Sequence, residues 1–157
     1  FGLPDAIDAQ CRMMRPGATT IDYYNLVLHY PDHIVHLHSN LYSPEPNLRY
    51  KVLGTEAKYE KYGLDPQEGY LKEGRLPEND AWSEEDEALY GVRYDEDGAQ
   101  TIKTERGAYQ AYFVGVADAI RLGTDNPVPA VQAVQNIALI EMALESSKTG
   151  KTIQVKS

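Results

Sequence analysis

The sequence predicts an α+β domain, a large and mostly antiparallel sheet with helices packed on one face and the other face used for oligomerisation. Three observations predict this class. The first 62 residues alternate with the period of strands. Two segments of helical period follow towards the end of the chain. Short Pro-Asp and Asp-Glu-Asp-Gly connections join neighbouring strands, as in hairpins.

The elements follow in order. Ile7, Ala9, Cys11 and Met13 alternate with polar residues as a first strand, closed by the turn Arg15-Pro16-Gly17-Ala18. Asp22 to Tyr30 sets Tyr24, Leu26, Leu28 and Tyr30 on one face and Tyr23, Val27 and His29 on the other. Pro31-Asp32 then returns the chain as His33 to Leu41. There Val35, Leu37 and Leu41 oppose Ile34, His36, His38 and Asn40. Tyr50, Val52 and Leu53 form another strand, ended by Gly54-Thr55, and Lys58 to Tyr62 a fifth. Asp65-Pro66-Gln67-Glu68 starts a short helix. Asp65 caps it, Pro66 fits the first helical position, Glu68 completes a capping box and Gly74 ends it. Leu76 to Leu89 reads as a polar loop holding the single tryptophan, Trp82. Tyr90 to Tyr94 and Ala99 to Thr104 make a hairpin around Asp95-Glu96-Asp97-Gly98. Gly107 to Leu122 is helical, with Tyr109, Tyr112, Phe113, Val116 and Ile120 on one stripe and Gly123 as cap. Pro129 opens the last helix, whose apolar stripe is Val134, Ile137, Ala138, Ile140 and Leu144. Gly150 closes it, and Ile153 and Val155 rejoin the sheet.

Composition bounds the function. A chain of 157 residues fits one domain, and 42% hydrophobic with 25% charged residues is ordinary for a soluble globular protein. No apolar run approaches the roughly 20 residues that span a bilayer, so no membrane partner is expected. No signal peptide pattern is present. The net charge is −9, and between Glu78 and Asp97 nine acidic residues face one base, Arg93. That −8 is a solvated loop, and the remainder of the chain is −1. No basic stripe exists to displace phosphate counterions, which excludes a nucleic-acid partner. The lone Cys11 forms no internal disulfide, suits a reducing, cytoplasmic setting, and reads as a small buried hydrophobe. Phe1-Gly2-Leu3-Pro4 reads as the tail of a helix, so this chain is expected to continue a longer one.

Chemistry-bearing motifs are few. Gly-x-Gly-x-x-Gly is absent, so no dinucleotide site is expected here. His36 and His38 share a strand face, as a zinc pair would, with His29 on the partner strand. No cysteine or carboxylate cluster accompanies them, and no metal is expected. No acid–base pair and no activated nucleophile is recognisable, so no catalytic residue is assigned. Ser43 to Arg49 is stiffened by Pro44 and Pro46 and ends in a strong donor to oxygen-rich ligands, Arg49. A plain connection with a surface arginine is the alternative. Both faces of the early strands carry large side chains, and seven of the twelve tyrosines fall between Tyr23 and Tyr62. The second face is therefore expected to be covered by helices or by another subunit.

Several stretches, in order and spacing, resemble the C-terminal domain of the glucose–fructose oxidoreductase and inositol dehydrogenase (Gfo/Idh/MocA) family. They are Phe1-Gly2-Leu3-Pro4-Asp5, Arg15-Pro16-Gly17, Asp22-Tyr23-Tyr24, His36-Leu37-His38-Ser39 and Leu53-Gly54-Thr55-Glu56-Ala57. At the place of Ala57 the family commonly carries glycine. Tyr62-Gly63-Leu64-Asp65-Pro66-Gln67-Glu68 is the most specific piece and resembles the scyllo-inositol dehydrogenase-like branch. Thr104 to Arg121, Asn126-Pro127-Val128-Pro129 and Ser147 to Lys151 extend the likeness to the end of the chain.

The resemblance implies an NAD- or NADP-dependent parent enzyme that moves hydride to or from CH–OH carbons of a sugar or cyclitol. Its Rossmann domain, its Glu-Lys-Pro lysine and its catalytic histidine would precede this segment. Residues 1–157 would be the substrate-binding and dimerisation domain, without cofactor and inactive alone. One pocket wall would map to Pro44, Glu45, Pro46, Asn47 and Arg49, and to Tyr62, Asp65 and Gln67. Tyr23, Val27, His29, His36 and His38 would face a second copy, giving a homodimer or higher homo-oligomer through the sheet. The alternative is a free-standing, non-catalytic interaction module.

Overall fold

The structure is a computed structural model, and it describes residues 1–41, 44, 48–77 and 80–155, without the side chains of residues 80 and 81. In order, its elements are β1 (Ala6–Arg12), β2 (Tyr23–His29), β3 (Ile34–Asn40), β4 (Leu48–Leu53), β5 (Lys58–Tyr62), α1 (Gln67–Lys72), β6 (Gly91–Asp95), β7 (Gly98–Ile102), α2 (Tyr109–Leu122), α3 (Ala130–Thr149) and β8 (Ile153–Gln154). The expected α+β class stands. Its strands, however, are shared between two four-stranded antiparallel sheets, ordered β3-β2-β1-β8 and β4-β5-β6-β7. The connection between β3 and β4 carries two prolines, which lack the N–H a continued ladder requires. Two compact units result, Phe1–Ser43 with Val128–Ser157, and Pro44–Pro127.

In the first unit, α3 covers one sheet face. Strand alternation turns Ile7, Ala9 and Leu28 inwards, where they bury with Ala143 of α3. Cys11, Leu26, Tyr30, Val35, Met142 and Ile153 surround this core. The closing strand rejoins the sheet as expected, but β8 pairs only with Ala6 and Ile7. Beyond it, α3 completes the edge of β1. The Ala9 N–H donates to Ser146 Oγ at 2.9 Å and the Cys11 N–H to Ser147 Oγ at 2.8 Å, while Ser147 Oγ donates back to the Cys11 carbonyl at 3.2 Å.

The stripe expected to bury on α3 is not the one that does. Val134, Ile137, Ile140 and Leu144 are exposed, Val134 to 67%. Met142, Ala143 and Ser146 meet the sheet instead. The helix is apolar on more than one side, so period alone does not choose its inward face. Close approach to β1 does, because Ala143 and Ser146 are small.

The turn between β1 and β2 is built on Asp22. Its buried carboxylate accepts the N–H groups of Met14 (2.6 Å) and Arg15 (3.1 Å) and the Arg15 Nε–H (2.9 Å). These bonds, led by that from Met14, hold its pKa below the usual aspartate value against the opposing effect of burial. The Ala18 N–H donates to the Arg15 carbonyl, closing the expected turn.

In the second unit, the β4–β5 turn closes with the Gly54 N–H on the Ala57 carbonyl at 2.9 Å. Ala57 takes its place there without a positive φ. A two-residue loop joins β6 to β7, with Asp95 opposite Gly98. Asp65 does cap α1, through Oδ1 on the Gln67 N–H at 2.9 Å, but Glu68 completes no capping box and pairs with Lys72 at 2.7 Å. Trp82 is buried in a short 3-10 turn against Tyr70. Gly123 and Gly150 end α2 and α3 in the left-handed conformation, as their positions predict. No residue of α2 is buried, and Phe113 and Ile120 of its expected apolar stripe are 69% and 80% exposed. Among the described residues no helix is long and apolar enough to cross a membrane.

Candidate functional site

The second unit holds a cavity of about 190 Å³ where the ends of β4 and β5 meet the segment entering α2. Arg49, Tyr50, Lys61 and Asp65 line it together with Thr104, Glu105 and Gly107. A wider depression of about 730 Å³ beside the β6–β7 hairpin is lined by Thr55, Glu56 and residues 93–97 and contains none of the residues expected to bind substrate.

A buried ion pair supports the cavity wall. Lys61 Nζ donates to both oxygens of Glu85, at 2.8 and 2.7 Å, and also lies 2.9 Å from the Leu89 carbonyl and 3.2 Å from that of Tyr62. Both side chains are nearly inaccessible, at 9% and 5% exposed. Thr104 Oγ1 donates to Glu85 Oε2 at 2.6 Å and ties the segment after β7 to the same pair. The acidic run was expected to be a solvated loop, and among the described residues Glu85 is its buried exception. A pair 24 residues apart, one member inside a run of acids, leaves no spacing signal in the sequence.

Next to this pair sits a second polar cluster. Gln67 is fully buried, and its Nε2 donates to Asp65 Oδ1 and Oδ2, each at 3.0 Å. Its Oε1 accepts the Tyr109 N–H at 3.1 Å. Gly107 passes so close that a Cβ there would collide with the Asp65 carboxylate and the Gln67 amide. Only a residue without a side chain fits. Gly91 is held in the same way by the Tyr59 ring.

The pocket residues expected from the sequence therefore fall in different places. Arg49 and Asp65 line the cavity, Gln67 lies behind its wall, and Tyr62 is 43% exposed with its carbonyl beside Lys61. Pro44 is exposed. Glu45, Pro46 and Asn47 lie outside the described residues. Lys61, Glu85, Thr104 and Gly107 were missed. A lysine in a strand and a threonine just beyond one carry no chemical signature until their partners are placed.

The expected oligomer-facing residues do share a surface. Tyr23, Val27 and His29 of β2 and His36 and His38 of β3 lie on the sheet face opposite α3, with Val27 paired to His36 and Tyr23 meeting His38 edge-on. The face is more polar than expected, since Asp8, Gln10, Arg12 and Asn25 share it by strand alternation. Asp8 Oδ2 bonds His29 Nε2 at 2.7 Å and Asp8 Oδ1 accepts Thr152 Oγ1 at 2.7 Å. The Thr152 bond first, then His29, lowers the Asp8 pKa. Cys11 faces the helix side, and burial raises its thiol pKa. Among the described residues no group of three or more His, Cys, Asp or Glu side chains could hold a metal ion.

Comparison with known proteins agrees with this architecture. The family model described as "Oxidoreductase family, C-terminal alpha/beta domain" matches residues 1–155. The chain is 41% identical over 155 residues to YdgJ of Escherichia coli (strain K12), described as an uncharacterized oxidoreductase, covering 98% of this chain and 45% of that protein. It is 35% identical over 160 residues to the scyllo-inositol 2-dehydrogenase (NADP(+)) IolW of Bacillus subtilis (strain 168), covering 99% of this chain and 45% of that protein. The crystal structure of an oxidoreductase from Bacillus cereus superposes with a TM-score of 0.85 at 26% identity, over all of this chain and 48% of the other. The chain thus spans about half the length of the curated relatives it matches. It belongs to the Gfo/Idh/MocA oxidoreductase family, as a C-terminal α/β domain.

Proposed function

We propose that this chain is the substrate-binding and self-associating half of an NAD(P)-dependent oxidoreductase that acts on a sugar or cyclitol. The observation that carries the reading is the cavity lined by Arg49 and Asp65, in a chain matching the family over residues 1–155. Lys61 and Glu85 neutralise each other, which leaves Arg49 against Asp65 and Glu105. Carboxylates accept from hydroxyl groups and repel phosphates, so a neutral polyhydroxyl ligand suits this lining. The relative named as an NADP(+)-dependent scyllo-inositol dehydrogenase supports the same substrate class. This chain's own residues do not fit a dinucleotide. Gly-x-Gly-x-x-Gly is absent, and the cavity presents carboxylates where a pyrophosphate needs N–H donors. The nucleotide would sit on a Rossmann domain in the half of the relatives' length that this chain does not span. A single cysteine fits a reducing cytoplasm.

Two measurements test the reading. The gene's upstream coding sequence should contain Gly-x-Gly-x-x-Gly and Glu-Lys-Pro, and its full product should oxidise cyclitols with NAD(+) or NADP(+). In that product Arg49→Ala should raise KM more than it lowers kcat. A start codon next to Phe1 would instead identify a free-standing interaction module. For this chain alone, calorimetric titration with NADH and NADPH should give no micromolar binding.

A further inference from the structure

We infer that Gln67 is the N-cap of α2, supplied from 42 residues upstream, and that it is a positioning residue for the cavity wall. The inference deepens the reading of the cavity as a polyol site and rests on it. A helix leaves its first N–H groups without partners, and a side-chain oxygen at the N-cap normally accepts one. Ala108 stands at that position in α2 and has no such oxygen. The Oε1 of Gln67 fills the role, accepting the Tyr109 N–H at 3.1 Å. The other end of the same amide is fixed on Asp65 by two bonds of 3.0 Å. Chemistry sets this orientation, since the carboxylate needs a donor and the N–H needs an acceptor. Gln67 is fully buried, so water cannot replace either bond. Asp65 and Gly107 both line the cavity, and the Gly107 backbone lies against the Asp65 carboxylate. Gln67 therefore ties the Asp65 carboxylate to the start of α2, and it acts on a ligand through this stretch of wall without lining the cavity itself.

The test uses this chain with two substitutions, Gln67→Met and Gln67→Glu, and two readouts. One is amide hydrogen exchange at Tyr109, referenced to Lys61 and Val92 in the sheet. The other is the shift of the Gly63 and Gly107 amide signals in a titration with myo-inositol. Methionine matches glutamine in size but offers no acceptor, so Tyr109 exchange should rise about tenfold, as for the loss of one net hydrogen bond. Myo-inositol binding should weaken with it. Glutamate keeps the oxygen but sets a second carboxylate beside Asp65, and one of two such carboxylates holds its proton to higher pH. In Gln67→Glu, Tyr109 protection and myo-inositol binding should return together as the pH falls from about 8 to about 5. A purely structural defect has no such pH profile. Should Gln67→Met fail to fold, Gln67→Glu still decides the matter. Unchanged Tyr109 protection in both variants overturns the inference, as does lost protection with undiminished myo-inositol binding. If the unmodified chain shows no cavity shift with myo-inositol, the polyol reading fails and the positioning role fails with it, whatever Tyr109 does.

Discussion

A single substitution in the second unit should separate two views of a buried charge. Lys61 and Glu85 are both nearly inaccessible, paired with each other and satisfied by three neighbouring groups. Lys61→Met leaves the Glu85 carboxylate buried without its cation, and the expected cost is about 3 to 5 kcal/mol in urea unfolding. The double variant Lys61→Met/Glu85→Leu should recover most of that loss, because two well-packed apolar residues need no desolvation. Equal stability of the single variant and the unmodified chain would mean the pair contributes nothing. Asp22 predicts a pH dependence. Folding lowers its pKa, so near and below the ordinary value of about 3.9 the unfolded chain binds more protons than the folded one. Its contribution is complete above that value and disappears as the pH falls through the folded pKa. Asp22→Asn should therefore flatten the fall in stability on acidification, measured by chemical unfolding between about pH 5 and 3. An unchanged slope would place the acid sensitivity elsewhere.

Elements were more legible than their packing. Alternation located β1, β2, β3 and β5 to within a residue or two, and turn chemistry located the hairpin loops at Pro31-Asp32 and Glu96-Asp97. Glycine at positions 123 and 150 marked both helix ends. These signals are local, and local chemistry decides them. What failed to show was which partner each element meets. The inward face of α3 follows from the contact of Ala143 and Ser146 with β1, and nothing in the helix's own period announces it. Likewise, α2 takes its cap from Gln67, so its start looked like Gly107 when the helix begins at Tyr109. In the candidate site, Arg49 was legible through its chemistry and Asp65 as a helix cap, its place in the pocket wall coming only from the family resemblance, whereas Lys61, Glu85 and Gly107 acquire meaning only from neighbours remote in sequence. Ser146 tests the α3 contact. Ser146→Ala removes the acceptor for the buried Ala9 N–H, and unfolding should show a loss of about 1 to 3 kcal/mol. Ser146→Ala at unmodified stability would mean that water or another group replaces the hydroxyl.

At the scale of the whole molecule, the sheet face opposite α3 bears on self-association. It presents Tyr23, Val27, His29, His36 and His38 among polar neighbours, a mixture common in protein interfaces. Twofold pairing of that face with itself is the simplest closed arrangement, and a stable dimer should bury roughly 2,000 Å² or more. Sedimentation of the chain at micromolar concentration should therefore give a dimer or larger species, and Val27→Glu should release monomers. A monomeric unmodified chain, or a Val27→Glu variant of unchanged mass, would remove this face from consideration.

The serine pair of α3 bears on how copies of the chain can meet. A strand edge with open N–H and C=O groups is a template on which another chain can add a strand, the first step towards aggregates. Along β1 that template is closed, first by β8 and then by the hydroxyls of Ser146 and Ser147. Helix side chains have taken the place of a strand at Ala9 and Cys11, so no further strand can pair with β1 there. A second copy cannot add a strand along this stretch, which leaves the proposed pairing of copies to surfaces where an assembly can close.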